Sequence, residues 1–220
     1  MKKLTTLLLL LVVAATMAFA LPVSFKAYAD AETSDLLLED ADFGLGVDLG
    51  VEATFGETGF SASVEVNSIV MPDFSFETVT GEIVYAFNKF DVDFEISNEN
   101  VFDINDDTEE DLTGVVALDA TWKIVNAGLE FYYTPETAFD VYAGPVYSME
   151  LGPGTLDLSA TAYLLIHPDF KLGNIEGEAK YTMGFDALEV YAGVLPVLYE
   201  NFEEDRELAL SIEFGVSYAF

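Results

Sequence analysis

Cysteine is absent from this 220-residue chain, and histidine occurs only once, at His167. The chain therefore has no disulfide framework, no thiolate metal site, no cysteine nucleophile and no cluster of histidine metal ligands. Basic residues are also scarce, because 8 lysines and arginines stand against 40 aspartates and glutamates, giving a net charge of −32. This surplus of negative charge argues against binding to nucleic acid or to an anionic surface.

Long hydrophobic runs are missing beyond the N terminus. Lys2 and Lys3 precede an apolar stretch at 7–15, and Ala-Phe-Ala at 18–20 fits a signal-peptidase site. This order is typical of a secretory signal peptide, so residues 1–20 are predicted to be cleaved and 21–220 to form one domain. Later apolar runs, such as 83–87, are far shorter than the roughly 20 residues of a membrane-spanning helix. The exported protein is then periplasmic, secreted or a β-barrel of the outer membrane.

The chain does show a persistent alternation with a period of two. Within 43–55 the odd-numbered residues are apolar and the even-numbered ones are Gly, Asp, Glu or Thr. Successive side chains of a β-strand point to opposite faces, so each such segment has one apolar face and one small or polar face. Twelve segments are predicted: 22–29, 43–55, 60–70, 74–87, 90–97, 112–124, 128–134, 138–149, 156–166, 170–183, 188–198 and 208–220, with an irregularity at Asn174 in the tenth.

Three features favour a membrane barrel over a soluble sandwich. Several segments are long enough to cross a membrane at a tilt. Short links alternate with longer ones, and the longest links, at 30–42, 98–111 and 199–207, share one end. Aromatic residues flank the short links, as in an interfacial girdle: Phe55, Phe60, Phe87, Phe90, Trp122, Tyr147, Tyr181, Tyr218 and Phe220. The sequence predicts an all-β fold, a transmembrane antiparallel up-and-down β-barrel of about twelve strands, with ten as the alternative.

The last strand carries a recognisable ending. Phe214, Val216, Tyr218 and Phe220 alternate up to the C-terminal residue. This pattern resembles the C-terminal signal of bacterial outer-membrane β-barrel proteins, which the barrel-assembly machinery reads. The resemblance covers this strand specifically and the rest of the chain only by architecture. It implies location in the bacterial outer membrane, contact with outer-membrane lipid and a porin-like or a small adhesion-type barrel.

The face opposite the apolar one would line the barrel interior. Strand parity assigns it many carboxylates and few lysines, the latter being Lys26, Lys123 and Lys180. The predicted pore-lining residues are Asp48, Glu52, Glu65, Glu82, Asp91, Asp93, Glu95, Asp119, Lys123, Glu130, Asp140, Asp157, Glu176, Glu178, Glu189 and Glu213. Because so few lysines cannot pair so many acids, the acids are expected to meet water or cations. The pattern favours a narrow passive channel for small solutes that prefers cations.

An adhesive barrel and a lipid-cleaving barrel are the alternatives to the channel. A structural or adhesive barrel could act through the acidic loop 103–111, where Asp103, Asn105 and Asp107 match the first ligands of a calcium loop but the later positions do not. A lipid-cleaving barrel would need a nucleophile beside His167, and no serine is marked as its partner. We therefore predict no enzyme activity, no catalytic residues and no cofactor. Monomers and trimers, and an open lumen or one closed by a loop around 36–38, remain alternatives.

Overall fold

The computed structural model describes residues 22–34, 44–71, 74–104, 112–134, 137–168, 170–200 and 206–220. These residues form twelve β-strands. In chain order the strands are β1 (Val23–Ser34), β2 (Gly44–Phe55), β3 (Phe60–Met71), β4 (Ser75–Lys89), β5 (Val92–Asp103), β6 (Leu112–Trp122), β7 (Val125–Thr134), β8 (Ala138–Leu151), β9 (Gly154–His167), β10 (Lys171–Phe185), β11 (Leu188–Glu200) and β12 (Arg206–Ala219).

The strands close into one barrel. Each pairs antiparallel with its neighbour in sequence, and β1 pairs with β12 to complete the ring. The predicted antiparallel up-and-down barrel of twelve strands is thereby confirmed, and the ten-stranded alternative is wrong. Within the described part of the chain, no helix has the length and apolar character needed to traverse a membrane.

Strand ends differ from the predicted ones in two places that affect the interior. β1 continues to Ser34 and β5 to Asp103, well past the expected ends at 29 and 97. Polar residues on both faces of 98–100 hide the alternation there, yet the cross-strand pairing continues without a break. In β10 the register shifts between Leu172 and Ile175, which confirms the irregularity predicted at Asn174.

The links define two ends of the barrel. The tight links 56–59, 90–91, 123–124, 152–153 and 186–187 lie at one end, together with Pro22 and Phe220, and we call this the short-turn end. Residues with positive φ make these turns, including Gly56, Gly59, Asp91 and Lys123. The other links leave the opposite end, which we call the long-link end.

The barrel is apolar outside rather than inside. Among the described residues, Phe55 and Ala209 are the only buried hydrophobic ones, whereas large apolar side chains of many strands are exposed, such as Leu49, Val51 and Phe214. A sandwich with a dry apolar centre is excluded by this distribution. A contiguous exposed apolar surface of this kind is typical of contact with lipid.

Aromatic rings cluster at the short-turn end of the outer surface. Phe60, Tyr85, Phe87 and Phe94 form a row with centroid spacings of 4.5, 5.4 and 5.2 Å. Trp122 and Tyr218 are about half exposed, as expected for an interfacial ring. Phe55 differs from the expected girdle, because its side chain is only 2% exposed.

Candidate functional site in the barrel interior

The larger interior cavity lies in the half of the barrel near the short turns. It has a volume of about 470 Å³, large enough for many water molecules. Eight neighbouring strands supply its walls, from β10 through the β12–β1 seam to β5. The lining consists of Lys26, Tyr28, Asp30, Glu52, Ser61, Ser63, Glu82, Val84, Glu95, Lys180, Thr182, Glu189, Tyr191 and Ser217.

A second interior cavity of about 370 Å³ lies toward the long-link end. Strands β7 to β10 line it with three carboxylates, Glu130, Asp140 and Glu176, and with Lys171. Asp140 leaves one oxygen, Oδ1, without a hydrogen-bond partner in the protein. A buried carboxylate oxygen left this way is ordinarily satisfied by water or by a cation.

Lysines of the larger cavity lie on one side of the barrel, and carboxylates neutralise them. Lys26 Nζ lies 3.2 Å from Glu189, which also accepts a hydrogen bond of 3.1 Å from Ser217. Lys180 Nζ lies 3.4 Å from Glu213 and 3.7 Å from Glu178, and it sits 3.9 Å from the Tyr191 ring centroid. These strands, β10 to β12 with β1, therefore carry paired charge.

The register also places acid directly opposite acid, both on these strands and on others. The pairs of facing carboxylates on adjacent strands are Glu32 with Glu213, Asp30 with Asp48, Glu82 with Glu99, Glu95 with Asp119, and Glu130 with Asp140. Like charges directly opposite one another destabilise a sheet. Water or positive ions between the strands would screen the repulsion in these five pairs.

Three tyrosines of the interior wall each reach across the neighbouring strand and donate a hydrogen bond to a carboxylate on the strand beyond it. Each lies over a glycine on the next strand and reaches an acid on the strand after that. The three sets are Tyr28, Gly50 and Glu65; Tyr142, Gly128 and Asp119; and Tyr191, Gly215 and Asp30. A side chain at any of these glycines would overlap the tyrosine ring. Each bridge holds the tyrosine hydroxyl, which donates the hydrogen bond, against the carboxylate that accepts it.

The same geometry occurs on the outer surface with a neutral acceptor. Tyr133 lies over Gly114 and donates a hydrogen bond of 2.6 Å to Asn100, which in turn donates one of 2.9 Å to Asn98. Asn98 also donates to the Val115 carbonyl, at the register shift between Gly114 and Val115. The contrast between carboxylates inside and amides outside fits an aqueous interior and an apolar exterior, because lipid disfavours charge.

The remaining predicted pore-lining residues occupy varied positions. Asp48 accepts a hydrogen bond from Asn67, and Asp93 accepts one of 2.6 Å from Asn88. Asp157 pairs in register with Lys180. Strand parity assigned Asp91 and Lys123 to the wall, whereas both lie in turns with positive φ, because the alternation ends where the chain reverses. Lys123 rests 4.6 Å from the Trp122 ring centroid.

Sequence reasoning missed several interior residues. Asp30, Glu32 and Glu99 were outside the predicted segments because β1 and β5 are longer than expected. The signal was present, since Lys26, Tyr28, Asp30 and Glu32 continue the alternation. Because the interior face was expected to carry small or polar residues, the bridging tyrosines were not among the predicted interior residues.

Only the first residue of the partial calcium motif lies within the described part of the chain. Asp103 ends β5, while Asn105 and Asp107 lie outside the described residues, as does the stretch 36–38. Among the described residues, no group of three or more histidines and carboxylates is arranged to hold a metal ion.

Phe220 takes part in closing the barrel. Its backbone exchanges two hydrogen bonds with Phe25, of 3.1 Å and 2.9 Å. Its ring stacks near those of Phe25 and Tyr218, with centroid distances of 6.0 and 6.3 Å. The proposed assembly signal therefore lies at the seam where β12 meets β1.

Comparison with solved structures places the fold among porins. The NanC porin superposes with a TM-score of 0.58 and 12% identity, over 88% of this chain and 98% of that one. The KdgM porin gives a TM-score of 0.57 and 14% identity, over 89% of this chain and 99% of that one. The expected resemblance to small porin-like barrels is confirmed at the level of fold. No protein-family profile and no curated protein sequence matches the chain.

Proposed function

We propose that the protein is a passive channel of the bacterial outer membrane that conducts small solutes and prefers cations. One observation carries this proposal: interior carboxylates far outnumber interior lysines in a closed barrel whose outside is apolar. A channel lined by carboxylates lowers the energy of cations along its axis and raises that of anions. The similarity in fold to the NanC and KdgM porins supports a channel without identifying its solute.

The proposed route to the membrane has three steps. The signal peptide at 1–20, which lies outside the described residues, directs export and is cleaved. The barrel-assembly machinery then recognises the C-terminal strand with Phe214, Val216, Tyr218 and Phe220. Outer-membrane lipid finally covers the apolar outer surface.

Charge selectivity tests the proposal directly. The mature barrel is inserted into a planar bilayer with KCl at two concentrations, and the reversal potential is measured. We expect the sign of a cation-selective pore. No conductance, or a reversal potential of the anion-selective sign, contradicts the proposal.

A matched variant separates interior charge from surface charge. Glu57→Gln with Asp186→Asn removes two negative charges from exposed short turns and leaves the interior unchanged. We expect this variant to retain the cation preference of the unaltered protein. Loss of that preference would assign it to surface charge at the mouth and contradict an interior origin.

A further inference from the structure

The carboxylates that line the larger cavity differ in whether the protein already satisfies them. Glu189 bonds to Lys26 and Ser217, and Asp30 accepts the Tyr191 hydroxyl. Glu52, Glu82 and Glu95 have no ion pair or side-chain hydrogen bond with another described residue, but Glu52 lies directly opposite Lys26 on β1, whereas no lysine lies opposite Glu82 or Glu95. Their oxygens are therefore open to whatever enters the cavity.

Charge in this cavity is also distributed unevenly around the wall. Both of its lysines belong to β1 and β10, on the side where acids pair them. Glu82 and Glu95 belong to β4 and β5. On one adjoining strand each faces a further acid, Glu99 and Asp119 respectively, and on the other each faces a small uncharged residue. Among the neighbouring acids, Glu99 and Glu95 repel the negative charge of Glu82 most strongly.

The negative charge around Glu95 extends from the larger cavity toward the second one. Asp119, which faces it, acts on Glu130 in the second cavity. A run of negative charge thus passes from one cavity to the other along β4 to β7. On the opposite side of the cavity, by contrast, Lys26 and Lys180 offset part of the negative charge and repel an entering cation.

We infer that cations cross the barrel along the β4–β7 side, and that Glu82 and Glu95 determine the selectivity of the channel. This inference rests on the proposed channel function and adds the residues responsible. Carboxylates of the paired side serve mainly to position Lys26 and Lys180.

Neutralising equal numbers of charges at different positions tests the inference. Glu82→Gln with Glu95→Gln removes the two carboxylates of the larger cavity that have no ion pair, no side-chain hydrogen bond and no lysine opposite them. Asp48→Asn with Glu65→Gln removes two interior acids that already accept hydrogen bonds from Asn67 and Tyr28. Each charge about 6 Å from the ion path changes cation occupancy roughly threefold in water, so the first variant should lower cation occupancy by about tenfold and the ratio of potassium to chloride permeability by at least about tenfold. The second should lower it clearly less.

A third variant tests the paired side. Lys26→Gln with Glu189→Gln removes one charge of each sign from the same cavity, and we expect the permeability ratio to stay unchanged. All variants are first checked for barrel formation by their resistance to unfolding in detergent at room temperature. Because the first variant removes repulsion, we expect it to fold.

The outcomes separate the two proposals. An unaltered protein that does not conduct, or that prefers anions, overturns both the channel and this inference. An unaltered protein that prefers cations, combined with equal losses in the first two variants or with a large change in the third, overturns only the inference. A selective loss in the first variant supports it.

Discussion

Removing one member of a facing acid pair should stabilise this barrel. Glu82 and Glu99 lie directly opposite each other on β4 and β5, and both are partly buried. Directly opposite side chains in an antiparallel sheet have Cβ atoms about 5 Å apart. Two negative charges at about 5 Å repel by about 0.8 kcal/mol in water and about 3 kcal/mol at the effective dielectric of a protein site.

The expected gain lies toward the lower end of that range. Glu99 is partly exposed, so water and dissolved cations screen the repulsion. Measured cross-strand pairs contribute about 0.2–1 kcal/mol. We expect Glu99→Gln to raise the free energy of unfolding by about 1 kcal/mol in dilute buffer, and to lose most of this gain in about 1 M salt, where the Debye length is about 3 Å.

Urea unfolding of the barrel in lipid vesicles provides the measurement. Fluorescence of Trp122, the sole tryptophan, reports the transition, and its indole is half exposed on the outer surface. Glu57→Gln is the matched control, because it removes the same charge from an exposed turn with no facing acid. A Glu99→Gln barrel no more stable than the control, or equally stabilised at both salt concentrations, would refute the electrostatic reasoning.

Three further perturbations follow from contacts in the barrel. Deleting Phe220 should slow assembly and loosen the β1–β12 seam, seen as unfolding at lower urea, because two backbone hydrogen bonds are lost; an unchanged midpoint would contradict this. Gly50→Ala should cost about 1–3 kcal/mol because the new methyl group overlaps the Tyr28 ring, and adding Tyr28→Ala should recover part of that loss. Lys180→Gln should destabilise the barrel by about 1 kcal/mol, since it leaves Glu213 unpaired, and adding Glu213→Gln should restore stability in the same urea assay.

The architecture could be predicted from the sequence because alternation with a period of two depends only on residues that are neighbours in the chain. Alternation over 43–55 and 208–220 gives strands with one apolar face, whatever their partners are. Link lengths then order those strands into hairpins, and so the all-β barrel and its twelve strands could be predicted. Strand ends at 29 and 97 were wrong because polar residues obscure the alternation, and only pairing with neighbouring strands carries β1 and β5 further.

Interior composition was likewise set by the sequence, since parity alone separates the two faces of each strand. Parity does not specify which residue lies opposite which, because that depends on register between strands. Register decided that Glu82 faces Glu99, that Tyr28 crosses Gly50 to reach Glu65, and that the acids near Lys26 are paired. The amino acids thus determined how many acids and lysines the interior face holds, and barrel closure determined which of those acids lie beside a lysine or a hydrogen-bond donor.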